Sequence, residues 1–464
     1  MRYLLGLLIL AVITLLVNGC ANQLPPPGGP EDLEPPKIVY LYPPPNTVNF
    51  KGDYVEIEFN EYFDVRSFRD AFYVTPVHEG GTEITIKGKK VVIEFPAGLK
   101  SNTTYLFTIG RDLRDINKGN TLSKPIKFAV STGPEIDKCS ISGKVYADNL
   151  EKMIILLYKL NETNSDNIDA SVLKPDYVTQ VDINGSYIFQ NIPEGKFRLF
   201  ALKDTDRNSL FDKDFDKIAV LDRDIVLAKN DEISNANFLL KKLLVLPSDK
   251  DFVTYLTKDS SGYIYSSVRP SETNIPVDQK FYFFFNIDSV KRTDITDNII
   301  LSDSTKNKNY KLIFNWYNDS ILEIFSLENF RYAAELKIVF NFLDISIKYF
   351  YILNFKSAPE NKFGQLSGKI YYPESNIHPV PLYFINKSNK FIAYNKKLLK
   401  DTTFVFKEVL DGEYIMFSFI DENNNGIYDE GDYYPFKPAE KFFIPEYEIK
   451  LKGGWSVDNI IVNF

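Results

Sequence analysis

Histidine, cysteine, methionine and tryptophan are scarce in this chain of 464 residues, with 2, 2, 3 and 2 copies. The histidines, His78 and His378, lie in separate segments, which argues against a histidine-based zinc site or a Ser-His-Asp triad. Basic clusters are also few. With a formal net charge of −8, neither nucleic acid nor an anionic lipid surface is an expected partner. No glycine-rich loop follows a strand and opens a helix, so nucleotide binding has no support. No amphipathic helix of more than a few turns can be traced. Phenylalanine and tyrosine are abundant instead, at 37 and 29 copies, and these residues favour strands.

The one long apolar run is at the start. Arg2 precedes Tyr3 to Val17, which ends in Asn18-Gly19-Cys20 and is followed by the proline-rich stretch 25–36. A charged start, about 15 apolar residues and small residues at the end read as a secretory signal, since spanning a bilayer takes roughly 20. Gly19-Cys20 resembles the lipobox of bacterial lipoproteins, although Asn18 is bulkier and more polar than usual there; the alternative is an ordinary signal that contains a cysteine. The resemblance implies a signal peptide over 1–19, lipidation (palmitate) of Cys20, and a semi-rigid tether over 20–36. With Cys20 acylated, Cys139 has no partner for a disulfide. No Asp lies immediately after Cys20, which under the usual lipoprotein sorting logic implies the outer membrane.

Beyond the tether nearly every patterned segment alternates with period two, as in Tyr54-Val55-Glu56-Ile57-Glu58-Phe59 and Lys90-Val91-Val92-Ile93-Glu94-Phe95. Turn signals such as Lys87-Gly88-Lys89, Asn184-Gly185 and Asp411-Gly412 separate these segments. The pattern predicts an all-β chain of antiparallel sandwiches. A long repeat runs through it. Ser142-Gly143-Lys144-Val145-Tyr146 returns as Ser367-Gly368-Lys369-Ile370-Tyr371, and Glu194-Gly195-Lys196-Phe197 as Asp411-Gly412-Glu413-Tyr414. The economical reading is tandem β-sandwiches in the order A1-B1-A2-B2, over 37–133, 138–241, 262–358 and 363–464.

A1 carries Ile57-Glu58-Phe59-Asn60-Glu61, Leu99 to Tyr105, Asp115-Ile116-Asn117-Lys118-Gly119-Asn120 and Phe128 to Gly133. These resemble the bacterial Ig-like domain named after the S-layer protein SbsA; A2 resembles it weakly and lacks the Gly-Asn turn. The Ser-Gly-Lys-Val/Ile-Tyr strands and the Gly-Lys-Phe-Arg-Leu and Gly-Glu-Tyr-Ile-Met segments resemble prealbumin-like sandwiches of the carboxypeptidase-regulatory and collagen-adhesin type.

Two acidic loops could carry chemistry. Asp421, Asn423, Asn425, Asp429 and Asp432 fall at positions 1, 3, 5, 9 and 12 of a calcium-type loop, with Gly426 at position 6. The related B1 loop offers Asp204, Asp206, Asn208 and Asp212, but Ser209 replaces the glycine and Arg207 and Lys213 dilute the charge, so weaker binding or none is expected. Either loop would hold calcium in a structural role; the alternative is a solvated turn rich in Asx hydrogen bonds. Glu58, Glu61 and Asp64 read as a wetted strand end, His78 as an exposed turn, Cys139 as a small buried residue, and Phe281 to Phe285 as at least half core. The expected protein is a non-catalytic membrane-anchored lipoprotein that binds or scaffolds another envelope protein. A glycan-binding accessory of polysaccharide uptake or degradation is the alternative, with exposed aromatics as its warrant.

Overall fold

The computed structural model describes residues 32–78, 80–161, 168–243, 252, 254–259, 262–287, 292–342, 350–373, 377–400 and 402–464. The signal, Cys20 and most of the tether lie outside the described residues. The chain divides into two compact units, Met1–Ile136 and Asp137–Phe464.

In the first unit, alternation decides which side chains meet. Val55, Ile57, Val91 and Ile93 point inward from Tyr54–Phe59 and Lys90–Glu94, onto Tyr105, Phe107, Phe128 and Val130 of the opposing sheet. The first sheet runs in the order Ile38–Tyr42, Tyr54–Phe59, Lys90–Glu94, Glu83–Lys87, and the second Phe72–Thr75, Thr104–Ile109, Ile126–Ser131. A seven-residue helix, Val65–Ala71, bridges the sheets; Asp64 caps it by accepting from Ser67 N at 2.6 Å. The Gly-Asn turn has a simple cause. Asp115 is buried, and its carboxylate accepts the amides of Lys118, Gly119 and Asn120 at 2.6, 3.0 and 3.0 Å. Burial works against ionising this group, but the amides outweigh it and hold its pKa below the usual range.

The second unit holds three pairs of sheets. The repeat seen in sequence is a repeat of topology. In B1, Cys139–Tyr146 pairs antiparallel with Ser186–Ile192 and parallel with the closing strands Glu232–Ile233 and Phe238–Leu239. In B2, Phe363–Tyr371 pairs antiparallel with Thr403–Leu410 and parallel with Ser456–Asn463. The second sheets also correspond: Tyr177–Gln180, Met153–Leu160, Gly195–Lys203, Lys217–Val220 in B1, and Ala393–Leu398, Val380–Asn386, Gly412–Phe419, Phe442–Phe443 in B2. A2 packs two five-stranded sheets around Phe281, Phe283, Phe285, Leu301, Ile338 and Leu353. Three of the five residues of the aromatic run Phe281 to Phe285 are therefore core, as alternation requires.

A2 runs into B2 through a short 3-10 turn, Glu360–Lys362, and the joint is filled by Val277, Ala358, Phe363 and Leu410, all buried. B1 and B2 also touch. Leu239 of B1 lies in one apolar cluster with Phe417 and Phe419 of B2, flanked by Tyr146 and Tyr383.

Candidate functional site

Each acidic loop leaves the C-terminal end of its sheet's central strand, Gly195–Lys203 in B1 and Gly412–Phe419 in B2. The two loops share one hydrogen-bond plan. Asp204 accepts from Asn208 N (3.1 Å) and Ser209 N (2.9 Å); Asp421 accepts from Asn425 N and Gly426 N, both at 2.9 Å. Asn208 and Asn425 accept from Leu210 N and Ile427 N, both at 2.6 Å. Asp204 and Asp421 are buried, and these amides give their oxygens partners away from water. Ser209 sits at φ 59°, the left-handed conformation that Gly426 takes at φ 76°, so the missing glycine bends the backbone the same way at some strain.

An acid outside the expected ligands closes each loop. In B1, Asp216 accepts Thr205 N at 2.9 Å and Asp212 N at 3.0 Å. In B2, Glu440 accepts Glu422 N at 2.8 Å and Asp429 N at 3.0 Å. Asp216 follows Asp212 by 4 residues, whereas Glu440 follows Asp429 by 11. That unequal spacing hid the equivalence. Asp432, assigned loop position 12, is not the closing acid. It pairs with Lys437 in a small hairpin, through both backbone bonds at 2.9 Å and the side chain at 3.2 Å.

The loops differ in how their charge is arranged. In B1, one carboxylate oxygen from each of Asp204, Asp206 and Asp216 lies within 4.8 Å of the other two. Burial pushes the Asp204 pKa up against the pull of the Ser209 and Asn208 amides, and Asp206 adds to the rise. In B2 the position of Asp206 is taken by Asn423, whose amide donates to Asp429. A cation is already present there: Lys397 Nζ stands 3.7 Å from Asp421 Oδ2 and donates to Asn424. Glu440 is pushed up to about 7, by burial first and then by Asp429 and Asp421, despite its two amide donors. The oxygen donors suit a hard divalent cation, which takes six to eight of them, and the B1 loop brings more negative charge to one point.

The extra residues between Asp429 and Glu440 form an arm that reaches B1. Tyr433 packs edge-on against Phe211 of the B1 loop, 4.8 Å between centroids, with Lys213 Nζ over its ring at 5.6 Å. Phe436 lies against Phe200 at 6.2 Å, and the Arg198 guanidinium stacks on it at 3.6 Å. Arg198 is buried and held by a forked ion pair with Asp224, at 2.9 and 3.1 Å. Ala439 N donates to Leu221 O at 3.2 Å, and Tyr146 meets Phe442 edge-on at 5.7 Å. The two acidic loops are thus in direct contact through their side chains. A sequence signal for this existed: Met153 to Tyr158 and Phe197 to Leu202 are buried on both faces, which an alternating half-wetted strand would not be.

Of the other candidates, Glu58 is exposed at the strand end and Asp64 is the helix cap. His78, expected in an exposed turn, is half-buried edge-on against Phe95 at 5.5 Å, where local chain packing shields its ring. Cys139 is buried at the start of its strand, with its thiol 3.2 Å from Ala228 O.

Residues 32–132 match the family model described as bacterial Ig-like domain. No curated protein matches the chain. Among solved structures, the chain is similar to BcpA, the major pilin subunit of Bacillus cereus (7% identity, 70% of this chain and 99% of that one, TM-score 0.17). It is also similar to the surface layer protein SbsC, domains 1–6 (9% identity, 90% and 67%, TM-score 0.19). A third similarity is to native alpha-2-macroglobulin from Escherichia coli, domains MG0-NIE-MG1 (12% identity, 69% and 96%, TM-score 0.17). Likenesses at this level say nothing of activity or partners. The all-β fold and the Ig-like first domain stand on the architecture and the family match.

Proposed function

We propose that this chain is a non-catalytic lipoprotein of the outer membrane, anchored through acylated Cys20, whose tandem sandwiches bind or scaffold another envelope protein. The observation that carries the reading is the fusion of B1, A2 and B2 into one unit by buried joints and the Phe436 arm. Such an assembly suits a rigid display surface better than a string of mobile modules. The Ig-like match at 32–132 agrees with a surface or scaffold role. The anchor is tested by fractionating cells that express wild type and Cys20→Ser. Wild type should sediment with membranes and incorporate a labelled fatty acid, and the variant should do neither. An unlabelled wild type found in the soluble fraction overturns the anchor.

Calcium has a structural part in this proposal, held by Asp204, Asp206, Asn208, Asp212 and Asp216 in B1 and by Asp421, Asn423, Asn425, Asp429 and Glu440 in B2. Saturating calcium at a hundredfold excess over Kd should stabilise the protein by about 2.7 kcal/mol per site relative to chelator. Asp204→Asn should remove more of that gain than Asp421→Asn, because Lys397 already neutralises part of the second loop. The gain should also shrink as pH falls through about 7, where Glu440 takes up a proton. Without the ion the sign reverses for this residue: its raised pKa makes protonation favour the folded state, so its contribution declines as pH rises from the ordinary carboxylate range to about 7. Identical melting curves with calcium and chelator at pH 8 rule out the ion.

A further inference from the structure

We propose that the outer face of the first domain's four-stranded sheet binds a neutral oligosaccharide chain. Register fixes what this face presents. Tyr40 is opposite Glu58 and Tyr42 opposite Glu56, while Leu41 is opposite the buried Ile57. On the next pairing Tyr54 is opposite Glu94, Glu56 opposite Val92, and Glu58 opposite Lys90. Successive side chains point to opposite faces, so Tyr40, Tyr42, Tyr54, Glu56, Glu58, Lys90 and Val92 share the solvent side.

Tyr40 and Tyr54 at this place are not required by folding, because the core is filled from the other face, while Tyr42 at the strand end packs against that core. Tyr40 is 49% exposed and Tyr54 37%. Tyr42 lies between Tyr54, at 5.2 Å and 31°, and Phe50, at 6.3 Å and edge-on, so the inner end of the platform is held in place before any ligand arrives. Residues two apart on a strand are separated by about 6.6 Å, which sets Tyr40 and Tyr42 at a spacing on the scale of one pyranose ring. Aromatic faces stack well on the C–H surface of a sugar.

Polar groups beside the rings supply the complement for hydroxyls. Lys90 Nζ meets Glu56 Oε1 at 2.6 Å, and both Glu58 and Tyr40 act electrostatically on the same ammonium. A paired acid and base offer donors and acceptors together, which matches a ligand whose hydroxyls both give and take hydrogen bonds. Charge selects further. Glu83, Thr85 and Lys87 of the outer strand continue the same face, and with Glu56, Glu58, Glu94 and Lys90 it carries more carboxylates than ammonium groups. A polyanion or a phospholipid surface would be repelled, and a wholly apolar partner would have to bury Glu58 and Lys90.

The test is affinity electrophoresis of the full-length chain in detergent, through native gels cast with soluble β-glucan, xylan or galactomannan, and with alginate as the anionic polymer. Retardation is expected in at least one neutral gel and not in alginate. The pair Tyr40→Ala/Tyr54→Ala should raise the apparent Kd at least roughly tenfold, as loss of two contact aromatics does. The pair Tyr40→Phe/Tyr54→Phe should keep most of the binding, because stacking resides in the ring. Melting curves of both pairs should overlay wild type, since neither residue is core. The proposal fails if no neutral polymer retards the wild type, if the alanine pair is retarded like wild type, or if alginate alone binds. Loss of a defined protein partner in the alanine pair, without neutral-glycan retardation, would assign the face to protein instead.

Discussion

Gly143→Ala should be among the most destabilising single substitutions in this chain, and Gly368→Ala its equal in B2. Neither glycine is in a left-handed turn; both lie inside strands, where glycine is ordinarily a cost. Their reason is proximity. A methyl group on Gly143 would lie 2.0 Å from the carbonyl oxygen of Ala236 and 2.5 Å from its carbonyl carbon. On Gly368 it would lie 2.0 Å from Ile460 O and 2.6 Å from the tip of Phe404. In both domains the obstacle is backbone of the closing segment, which passes beside the first strand, so no side-chain rotation relieves it. Tyr187 reinforces the arrangement in B1 by donating to Ala236 O at 2.5 Å. Parting these segments should cost at least about 3 kcal/mol, in the range of severe overpacking. Ser140→Ala, on the same strand, should stay within about 0.5 kcal/mol. A single melting transition of a multidomain chain does not report on one strand, so the readout should be local: hydrogen exchange of amides in 139–146 and 363–371. Unchanged protection in Gly143→Ala would show that the closing segment is free to move aside.

This close approach explains why Ser-Gly-Lys was the clearest element of the repeat in sequence. Period two in Tyr54 to Phe59 also made the all-β architecture legible, because one residue in two must face a core. The acidic loops were legible only in part. Asp204 and Asp421 announce themselves by spacing to the next oxygen-bearing residues, since those bonds span at most five positions. Asp216 and Glu440 act across the loop instead, and the arm inserted before Glu440 shifts it out of any fixed register with Asp429. The charge balance was hidden for a related reason. Lys397 comes from the strand Ala393–Leu398, on a different pairing partner of the central sheet, and no local pattern ties it to Asp421. The contact of B1 with B2 joins residues far apart in the chain, as in Tyr146 with Ile444, separated by 298. Its only local trace is loss of alternation in Met153 to Tyr158 and Phe197 to Leu202, which a strand covered on both faces produces.

Arg198→Ala should therefore open the join between B1 and B2 while leaving each sandwich folded. Arg198 forks onto Asp224 as an ion pair and also lies on the ring of Phe436 in the arm. Removing the guanidinium leaves Asp224, whose side chain is 14% exposed, with Lys196 Nζ at 3.2 Å, and it strips the arm of its stacked cation. Breaking one side of a buried pair costs about 3–5 kcal/mol, so the loss should be near 3 kcal/mol given this residual partner. Phe436→Ala separates the two effects. It keeps the ion pair and removes the half-buried ring, for a cost of about 1–2 kcal/mol. In both variants the amides of 430–440 should exchange faster, and the B1 core around Leu157 and Leu199 should keep its protection. Arg198→Lys should not rescue, because an ammonium cannot fork onto Asp224 and lie flat on Phe436 together. If Arg198→Ala unfolds B1 itself, the residue belongs to the sandwich rather than to the join. If neither variant changes exchange in the arm, the arm is held by Tyr433, Ala439 and Phe442 alone, and the rigid B1-A2-B2 unit does not depend on Arg198.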